Sequence, residues 1–424
     1  MTGWRHTTRT IKHSFRYAAV VTGAALVTGC GLVPGATGGS GDQPVKVMTW
    51  APEKTEATNM PGMPAMAKAY ARWVNAHGGI GGRRLEVLTC NDHNDSVDAA
   101  KCARSAVEQN VVAVVGSYSQ HGRAFLSPLE SAGIPYIGGY GATDAEFRSP
   151  LSYPVNGGQA ALLAGNGQQL AEHCDRTVLV RPDTIAGDEL GPLLDTGLAL
   201  RDRRAATDLR AAEDATDYGG QARQALSTAS SDPLGDGCVA AVLGDRTDTF
   251  FDSFRRLRDD YPSVRTATVL GSVDQSVIDR SGGAKSPYEG AYVTGWYPAA
   301  DDARWNAMRK AINEQAFDDN RIDPADAGVQ TTWIAYSVLK QVVESLGDGE
   351  VTSRSVRKAL DGGVKVTTGG LTPALHWGYD HMSSAGDFPR LVNARVAFQK
   401  VEGGRLVATR RSLVDVTATL AKAP

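Results

Sequence analysis

The sequence has none of the short motifs that mark the common catalytic and nucleotide-binding sites. GGIGG (78–82) follows a predicted helix rather than a strand, lacks the GxGxxG spacing and has no GKS or GKT, so it is not a phosphate-binding loop. Ser119 and His121 have no GxSxG turn around them, and the sequence assigns them no partner carboxylate. We therefore expect a protein that is not an enzyme.

Metal-binding patterns are missing as well. DHNDSVD (92–98) has Val97 where a calcium loop needs glycine, and Ala103 where such a loop ends in glutamate. His376 and His381 stand five residues apart with no third ligand, and no two cysteines form a CxxC pair. We expect no metal and no cofactor.

Basic charge and long apolar runs are scarce. Charged residues make up 21% of the chain and hydrophobic residues 42%, as in ordinary globular proteins. The formal net charge is −3, and no nucleic-acid-binding module is recognisable, so we do not expect nucleic acid as a partner. At 424 residues the chain is too long for one compact core, which predicts two domains.

The first 29 residues have the pattern of an export signal. Four basic residues precede the short apolar run Tyr17–Val27, which ends in Val27-Thr28-Gly29-Cys30. This ending resembles a bacterial lipobox, which implies diacylation of Cys30 and a flexible tether over residues 30–44. The alternative is ordinary signal cleavage next to an incidental cysteine. Without residues 1–29 the chain carries 40 basic and 47 acidic side chains, a net charge of −7.

Four further cysteines remain for disulfide bonds. An even number of cysteines in an exported chain favours two disulfides, and four cysteines allow three pairings. Cys90 ends a predicted strand and Cys102 lies in the next helix, whereas Cys174 and Cys238 each precede an apolar strand. We predict the pairs Cys90–Cys102 and Cys174–Cys238, worth roughly 3 and 4 kcal/mol in the loop-entropy model.

Apolar strands alternate with amphipathic helices along most of the chain, which predicts an α/β fold with parallel sheets. The predicted strands are 45–50, 84–90, 111–116, 135–139, 177–183, 205–210, 238–244, 266–271 and 290–296. A long helix over about 326–346 is followed by a strand pair in 394–411 that turns at Gly403-Gly404.

One stretch of the chain places a loop at the carboxyl end of a strand. WVNAHGGIGGRRLEV (73–87), Asn91-Asp92 and VVAVVGSYS (111–119) give a helix, a glycine turn, a strand, a second helix, a second strand and then a polar loop. Small molecules bind at this edge of parallel sheets, because backbone amides and helix N-termini converge there. The stretch therefore indicates a receptor.

The same stretch resembles a known family. Together with IPYIGGYGATDAEF (134–147), EGAYVTGWYP (289–298) and VQTTWIAYSVLKQVVESL (329–346), it is similar to the solute-binding proteins of branched-chain amino-acid ABC transporters, of the type I periplasmic binding protein group. The resemblance implies two Rossmann-like lobes, each a parallel sheet flanked by helices, joined by a three-strand hinge. Lobe 1 would comprise 45–153 and 297–370, and lobe 2 would comprise 154–296 and 371–424.

The resemblance also implies a function. The chain would be an extracytoplasmic, lipid-anchored, monomeric receptor that closes on an amino acid or similar small polar ligand and presents it to an ABC permease in the membrane. The alternative is a sensory receptor of the same fold that acts in signalling rather than import.

In this family the first lobe holds the head group of the ligand with the loops after strands three and four. The matching residues here are Ser117, Tyr118, Ser119, Gln120, Gly141, Ala142 and Thr143. Hydroxyl groups and free backbone amides can hold a carboxylate without a full countercharge, and the Gly141 carbonyl could accept from an ammonium group. The alternative is that these are only turn residues at strand ends.

The second lobe of the family places an acidic residue against the ammonium group of the ligand. The candidates are Asp274, Asp245 and Asp183, each of which could equally be a surface charge or a helix cap. Trp50, at the end of the first strand, could form an apolar wall or belong to the core.

Two features depart from the family. The loop after strand one (51–63) should line the pocket, and it is longer and more charged than the family pattern, with Glu53, Lys54, Glu56 and Met60. Ala186 and Thr247 fall near positions where the second lobe usually supplies aromatic residues. Both departures argue against a leucine-like ligand.

Overall fold

The computed structural model describes residues 43–55, 58–232, 234–383 and 385–423, with the backbone alone at 185 and 186. The predicted signal segment, the lipidation site Cys30 and the side chains of Glu56 and Ala186 lie outside this description. No helix in the described part of the chain combines the length and the apolar character that a membrane span requires.

The first half of the chain forms a parallel sheet of five strands in the order β2-β1-β3-β4-β5. The strands are β1 (Val45–Trp50), β2 (Leu85–Cys90), β3 (Ala113–Val115), β4 (Tyr136–Ile137) and β5 (Ser152–Tyr153). Each strand was predicted, except the short β5. We call this sheet the first sheet.

Helices cover both faces of the first sheet. They are α1 (Gly62–Ala76), α2 (Ser96–Glu108), α3 (Gly122–Ala132) and α4 (Ala145–Arg148). The Asp95 carboxylate accepts the amides of Val97 and Asp98 and so caps α2, which explains why this helix begins at Ser96.

The rest of the chain builds a second, larger sheet with the strand order β12-β11-β10-β9-β8-β6-β7. Its parallel strands are β6 (Arg176–Pro182), β7 (Thr207–Ala211), β8 (Gly237–Ala241), β9 (Arg265–Val269) and β10 (Tyr292–Gly295). The predicted hairpin, β11 (Arg395–Glu402) and β12 (Arg405–Ala408), joins antiparallel to β10, and β13 (Val414–Asp415) pairs with β11. This second sheet is therefore mixed, because the predicted terminal hairpin adds antiparallel strands to its five parallel ones.

Ten further helices follow the first four. They are α5 (Gly158–Ala171), α6 (Ile185–Asp188), α7 (Leu190–Leu198), α8 (Gly219–Ala229), α9 (Thr247–Arg258), α10 (Gln275–Arg280), α11 (Asn306–Gln315), α12 (Ala327–Glu344), α13 (Ser353–Asp361) and α14 (Thr417–Leu420). The helix α5 packs between α7 and the second sheet, whereas α11 and α12 return to pack on α1 beside the first sheet.

The chain therefore passes between the two sheets three times, after β5, after β10 and before β11. Buried hydrogen bonds join these crossings. Asn156 Nδ2 donates to Tyr297 Oη at 3.1 Å, and Asn393 Nδ2 donates to the Val155 carbonyl at 2.9 Å. Both sheets belong to one compact unit. The lobe boundaries that we predicted stay a prediction.

Both predicted disulfides are confirmed. Cys90–Cys102 joins the end of β2 to α2, and Cys174–Cys238 joins the residue that leads into β6 to the neighbouring strand β8. The Cα–Cα separations are 5.7 and 5.8 Å, within the range that a disulfide spans. The pairing follows from topology, because β6 and β8 are adjacent with Thr177 opposite Cys238.

Candidate functional site

A cavity of about 280 Å³ lies between the carboxyl ends of the two sheets. Its wall on the first sheet consists of Thr58, Met60, Tyr118, Gln120, His121, Tyr140, Ala142 and Thr143. Its wall on the second sheet consists of Gln159, Leu162, Pro182, Thr184, Gly187, Leu190, Glu213, Val242, Leu243, Gly244, Val269, Leu270, Gly271, Ser272 and Trp296. Both walls are therefore made of segments that follow strand ends, where parallel sheets bind ligands.

The first wall is held in place by its own hydrogen bonds. Gln120 Nε2 donates to Tyr118 Oη at 3.1 Å, and His121 Nε2 lies 2.9 Å from the Asn94 carbonyl, so this ring nitrogen carries the proton. Asn91 Oδ1 accepts the amide of Glu53 at 3.0 Å and fixes the loop after β1. Because that loop is fixed, Thr58 and Met60 reach the cavity.

Three aromatic rings form a continuous row from one wall to the other. The Tyr118 and Tyr140 ring centroids are 5.0 Å apart, and those of Tyr140 and Trp296 are 4.9 Å apart, both edge to face. Trp296 Nε1 donates to the Gly158 carbonyl at 2.9 Å, which fixes the indole. The row joins the walls through Tyr140.

Gly271, whose φ is +90°, lies in the second wall close to Tyr140 of the first wall. A Cβ atom at this position would lie 2.4 Å from Tyr140 Oη. Only glycine therefore permits this approach, both because of its backbone conformation and because of the space available.

A buried carboxylate accepts hydrogen bonds from the backbone amides of the loop after β4. Glu146, only 2% exposed, accepts the amide of Gly141 at 3.1 Å and that of Thr143 at 3.2 Å. The Ala142 amide also bonds to it. Burial raises the pKa of Glu146 to about 7, although these amides oppose the rise.

Three further carboxylates lie outside the lining of the cavity. Asp92 is 0% exposed, and its Oδ2 atom has no hydrogen-bond partner within the described structure. Asp326 caps α12, and burial together with Asp274 raises its pKa to about 7. Burial likewise raises the pKa of Asp274 to about 6.

Four of the ten predicted ligand-binding residues line the cavity, namely Tyr118, Gln120, Ala142 and Thr143. Ser117 and Ser119 lie behind the wall, where Ser117 Oγ accepts the Trp50 amide at 3.1 Å and Ser119 Oγ accepts the His121 amide at 3.2 Å. The Gly141 carbonyl accepts the Gln159 amide at 3.1 Å. These groups are already engaged within the protein.

The other three of these ten residues and the further candidate Asp183 stand apart from the lining. Trp50 lies in the core beside Phe125, with ring centroids 5.3 Å apart, because β1 is a central strand covered on both faces. Asp274 caps α10 by accepting the Val277 amide at 2.8 Å, which was the alternative for this residue. Asp245 neighbours the lining residue Gly244 and accepts the Asn59 amide. Asp183 follows β6, beside the lining residues Pro182 and Thr184.

Most of the second wall and the role of Glu146 were not predicted from the sequence. The signal was available, because Pro182, Val242, Leu270 and Trp296 each lie at or directly after the carboxyl end of a predicted strand. Trp296 also supplies the second wall with an aromatic side chain that we did not find near Ala186 or Thr247.

Comparison with known proteins identifies the family. Residues 55–390 match the family model described as periplasmic binding protein. The chain belongs to this family. No curated protein sequence matches it closely enough to add a nearer relative.

Solved structures of the group share the fold along nearly their whole length. An extracellular ligand-binding receptor from Verminephrobacter eiseniae matches with a TM-score of 0.70 and 13% identity, covering 86% of this chain and 100% of that one. A solute-binding protein of an ABC transporter from R. palustris in complex with benzoate gives 0.67 and 16%, covering 88% and 98%. A leucine-binding protein from Thermotoga maritima gives 0.64 and 14%, covering 88% and 99%.

These matches confirm the predicted type I periplasmic binding protein fold and its resemblance to the leucine/isoleucine/valine-binding group. Within the described residues, no group of three or more histidine, cysteine or acidic side chains is placed to hold a metal ion.

Proposed function

We propose that this periplasmic binding protein is the extracytoplasmic receptor of an ABC importer. It captures an amino acid or similarly small polar molecule between its two sheets and releases it without chemical change. The observation that carries the proposal is the cavity of about 280 Å³ whose walls come from the strand ends of both sheets. A ligand that touches both walls stabilises the form in which they meet.

The fold family supports this proposal, and the solved structures of similar fold leave the ligand open. One neighbour holds benzoate and another is a leucine-binding protein, although both share the same fold with this chain. Ligand identity therefore depends on the side chains of the cavity and not on the fold.

The proposed function also implies where in the cell the protein acts. The receptor is anchored outside the cytoplasmic membrane by lipid on Cys30, acts as a monomer and delivers its ligand to an ABC permease. Cys30→Ser should release the protein from the membrane fraction, and a variant that stays in that fraction would contradict lipid anchoring.

A thermal-shift screen tests ligand binding directly. Amino acids, amides, short peptides and sugars are added to the purified protein, and a true ligand raises the free energy of unfolding by roughly 3 kcal/mol at a hundredfold excess over Kd. Calorimetry on any hit measures Kd, and mass spectrometry of the recovered ligand shows whether it is unchanged. Chemical conversion of the ligand would contradict the proposal.

A further inference from the structure

The charge of the cavity narrows the ligand class, and this inference rests on the proposed receptor function. A protein can bind the carboxylate of a ligand in two ways. It can offer free backbone amides together with a hydroxyl group, or it can offer a cationic side chain. Each can be checked against the residues that form the wall.

The backbone amides are not free. Gly141, Ala142 and Thr143 all donate to the Glu146 carboxylate, and Thr143 Oγ1 lies 3.4 Å from the same group. A ligand carboxylate at this loop would have to displace Glu146 or share its donors. Because Glu146 is buried, displacing it would leave a carboxylate without partners, which is costly.

The wall has no permanently cationic side chain as far as the structure describes it, and its one histidine, His121, bonds to the Asn94 carbonyl. The lining contains no lysine or arginine, and its one acidic residue is Glu213. Arg246 lies two residues beyond the lining residue Gly244 and donates to the Glu213 carbonyl at 3.0 Å, but it is not itself part of the lining. An anionic ligand would therefore meet no lysine or arginine in the cavity wall.

Two carboxylates beside the wall act on its tyrosines. Asp245, which also interacts with Arg246, is adjacent to Gly244, and Asp92 interacts with Ser119 and His121. Burial raises the pKa of Tyr118 to about 12, and Asp245 and Asp92 add to the rise. Burial also raises the pKa of Tyr140, and Asp326 and Asp245 add to that rise. No lysine or arginine opposes these effects on either tyrosine.

We propose that the cavity selects an organic cation, such as an amine or an amino-acid amide, over an anion or a molecule with a free carboxylate. The carboxylates of Glu146, Asp92 and Asp245 compensate the charge of the buried ammonium group. The aromatic row of Tyr118, Tyr140 and Trp296 supplies the apolar surface beside it, which suits a cation with an organic body.

Size-matched probes that differ in charge test this inference. The purified protein is titrated with benzylamine against benzoate, and with leucinamide against leucine and 4-methylpentanoate. The cations should raise the melting temperature and bind at least about tenfold tighter than their anionic or zwitterionic partners, a difference of about 1.4 kcal/mol. Added salt should weaken this preference, because it screens the carboxylates.

The Glu146→Gln variant tests the cause of the preference. The change removes one negative charge and leaves a single side-chain oxygen for the three amides, so benzoate should gain at least about tenfold in affinity relative to benzylamine. Glu108→Gln, at the exposed end of α2, removes the same charge away from the cavity and should change neither affinity. If Glu146→Gln does not fold, the probe series on the unchanged protein decides alone.

The outcomes separate the two proposals. Tighter binding of benzoate, leucine or 4-methylpentanoate would overturn the cation preference and leave the receptor function standing. If no small molecule in this series or in the wider screen shifts the melting temperature, both the preference and the receptor function are wrong.

Discussion

The two walls of the cavity differ in how they use their polar groups. In the first wall, Tyr118, His121 and Thr143 are engaged with the protein itself through Gln120, Asn94 and Glu146. In the second wall, apolar residues such as Val242, Val269 and Leu270 alternate with the turns at Gly244 and Gly271. The first wall is thus a preformed polar surface, and the second wall closes against it through backbone turns and apolar contact.

This difference predicts that changes in the two walls have different consequences. Changes in the first wall alter which molecule binds, because they alter charges and donors. Changes in the second wall alter how well the walls meet, because that contact depends on small residues.

The two disulfides should contribute different amounts to the free energy of unfolding. Replacing Cys174 and Cys238 with serine should lower the free energy of unfolding by about 4 kcal/mol, and replacing Cys90 and Cys102 by about 3 kcal/mol, because the longer loop gains more entropy on release. Chemical denaturation of each double variant measures the difference. Equal losses would show that loop length does not control these two bonds.

The helix-capping carboxylates of Asp326 and Asp274 should make the protein less stable as the pH rises. The pKa values of Asp326 and Asp274 are about 7 and about 6 in the folded protein, above the ordinary aspartate value, so the folded state binds more protons. Stability contributed by protonation is present below pH 4 and is lost as the pH rises through 6 and 7. We expect a loss of at least about 1.4 kcal/mol between pH 5 and pH 8, the equivalent of one pKa unit.

Melting temperatures across this pH range measure the loss. Asp323 and Asp274 face Asp326, and Arg280 acts on Asp274, so Asp274→Asn is the informative variant. Asparagine keeps the cap of α10, and the pH profile should become flatter. A profile as steep as that of the unchanged protein would place the titrating group elsewhere.

The contact at Gly271 should control ligand affinity. Gly271→Ala places a Cβ atom against Tyr140 Oη, so the walls cannot meet, and affinity should fall at least about tenfold by calorimetry. Adding Tyr140→Phe removes the hydroxyl, leaves the next ring atom at 3.7 Å and should restore part of the affinity.

A matched control exists for this variant. Gly78 has nearly the same backbone conformation, with φ of +92°, and nothing within 4 Å of an added Cβ atom. Gly78→Ala therefore imposes the same strain without the contact. If it weakens binding as much as Gly271→Ala, the effect comes from strain and not from the meeting of the walls.

The smallest expected effect concerns two hydroxyl groups, those of Thr143 and Ser119, in loops of the first sheet. Thr143 lines the cavity, whereas Ser119 lies behind it, so Thr143→Ala should weaken binding by about 1 kcal/mol and Ser119→Ala should mainly lower the melting temperature. Calorimetry and thermal denaturation of both variants distinguish the effects. Weaker binding by Ser119→Ala alone would reverse the assignment.

The architecture could be predicted well because the succession of strands along the chain and the positions of the cysteines can be read from local sequence. The glycine turn at Gly403-Gly404 and the pair Cys174–Cys238 both follow from apolar strands with clear ends. The antiparallel addition of β11 to the second sheet depends on a contact between distant parts of the chain, and no local pattern encodes it.

The candidate site was harder to predict for a physical reason. A hydroxyl or an amide in the sequence does not reveal whether it is already bonded, and Glu146, three residues beyond Thr143, takes up the donors that we assigned to a ligand. The sequence allowed both a ligand-binding role and a structural role for Trp50 and for Asp274. In the structure, Trp50 packs against Phe125 in the core, and Asp274 caps α10.

The three passages of the chain between the sheets also order the events of folding. An exported chain emerges from its amino end, yet α12, which packs on α1 beside the first sheet, is made only after residue 326, and the second sheet gains β11 only after residue 394. Neither half has all its strands and helices until most of the chain has emerged. The late segments therefore complete both halves almost together, and until then the apolar strands of the unfinished halves are exposed to aggregation.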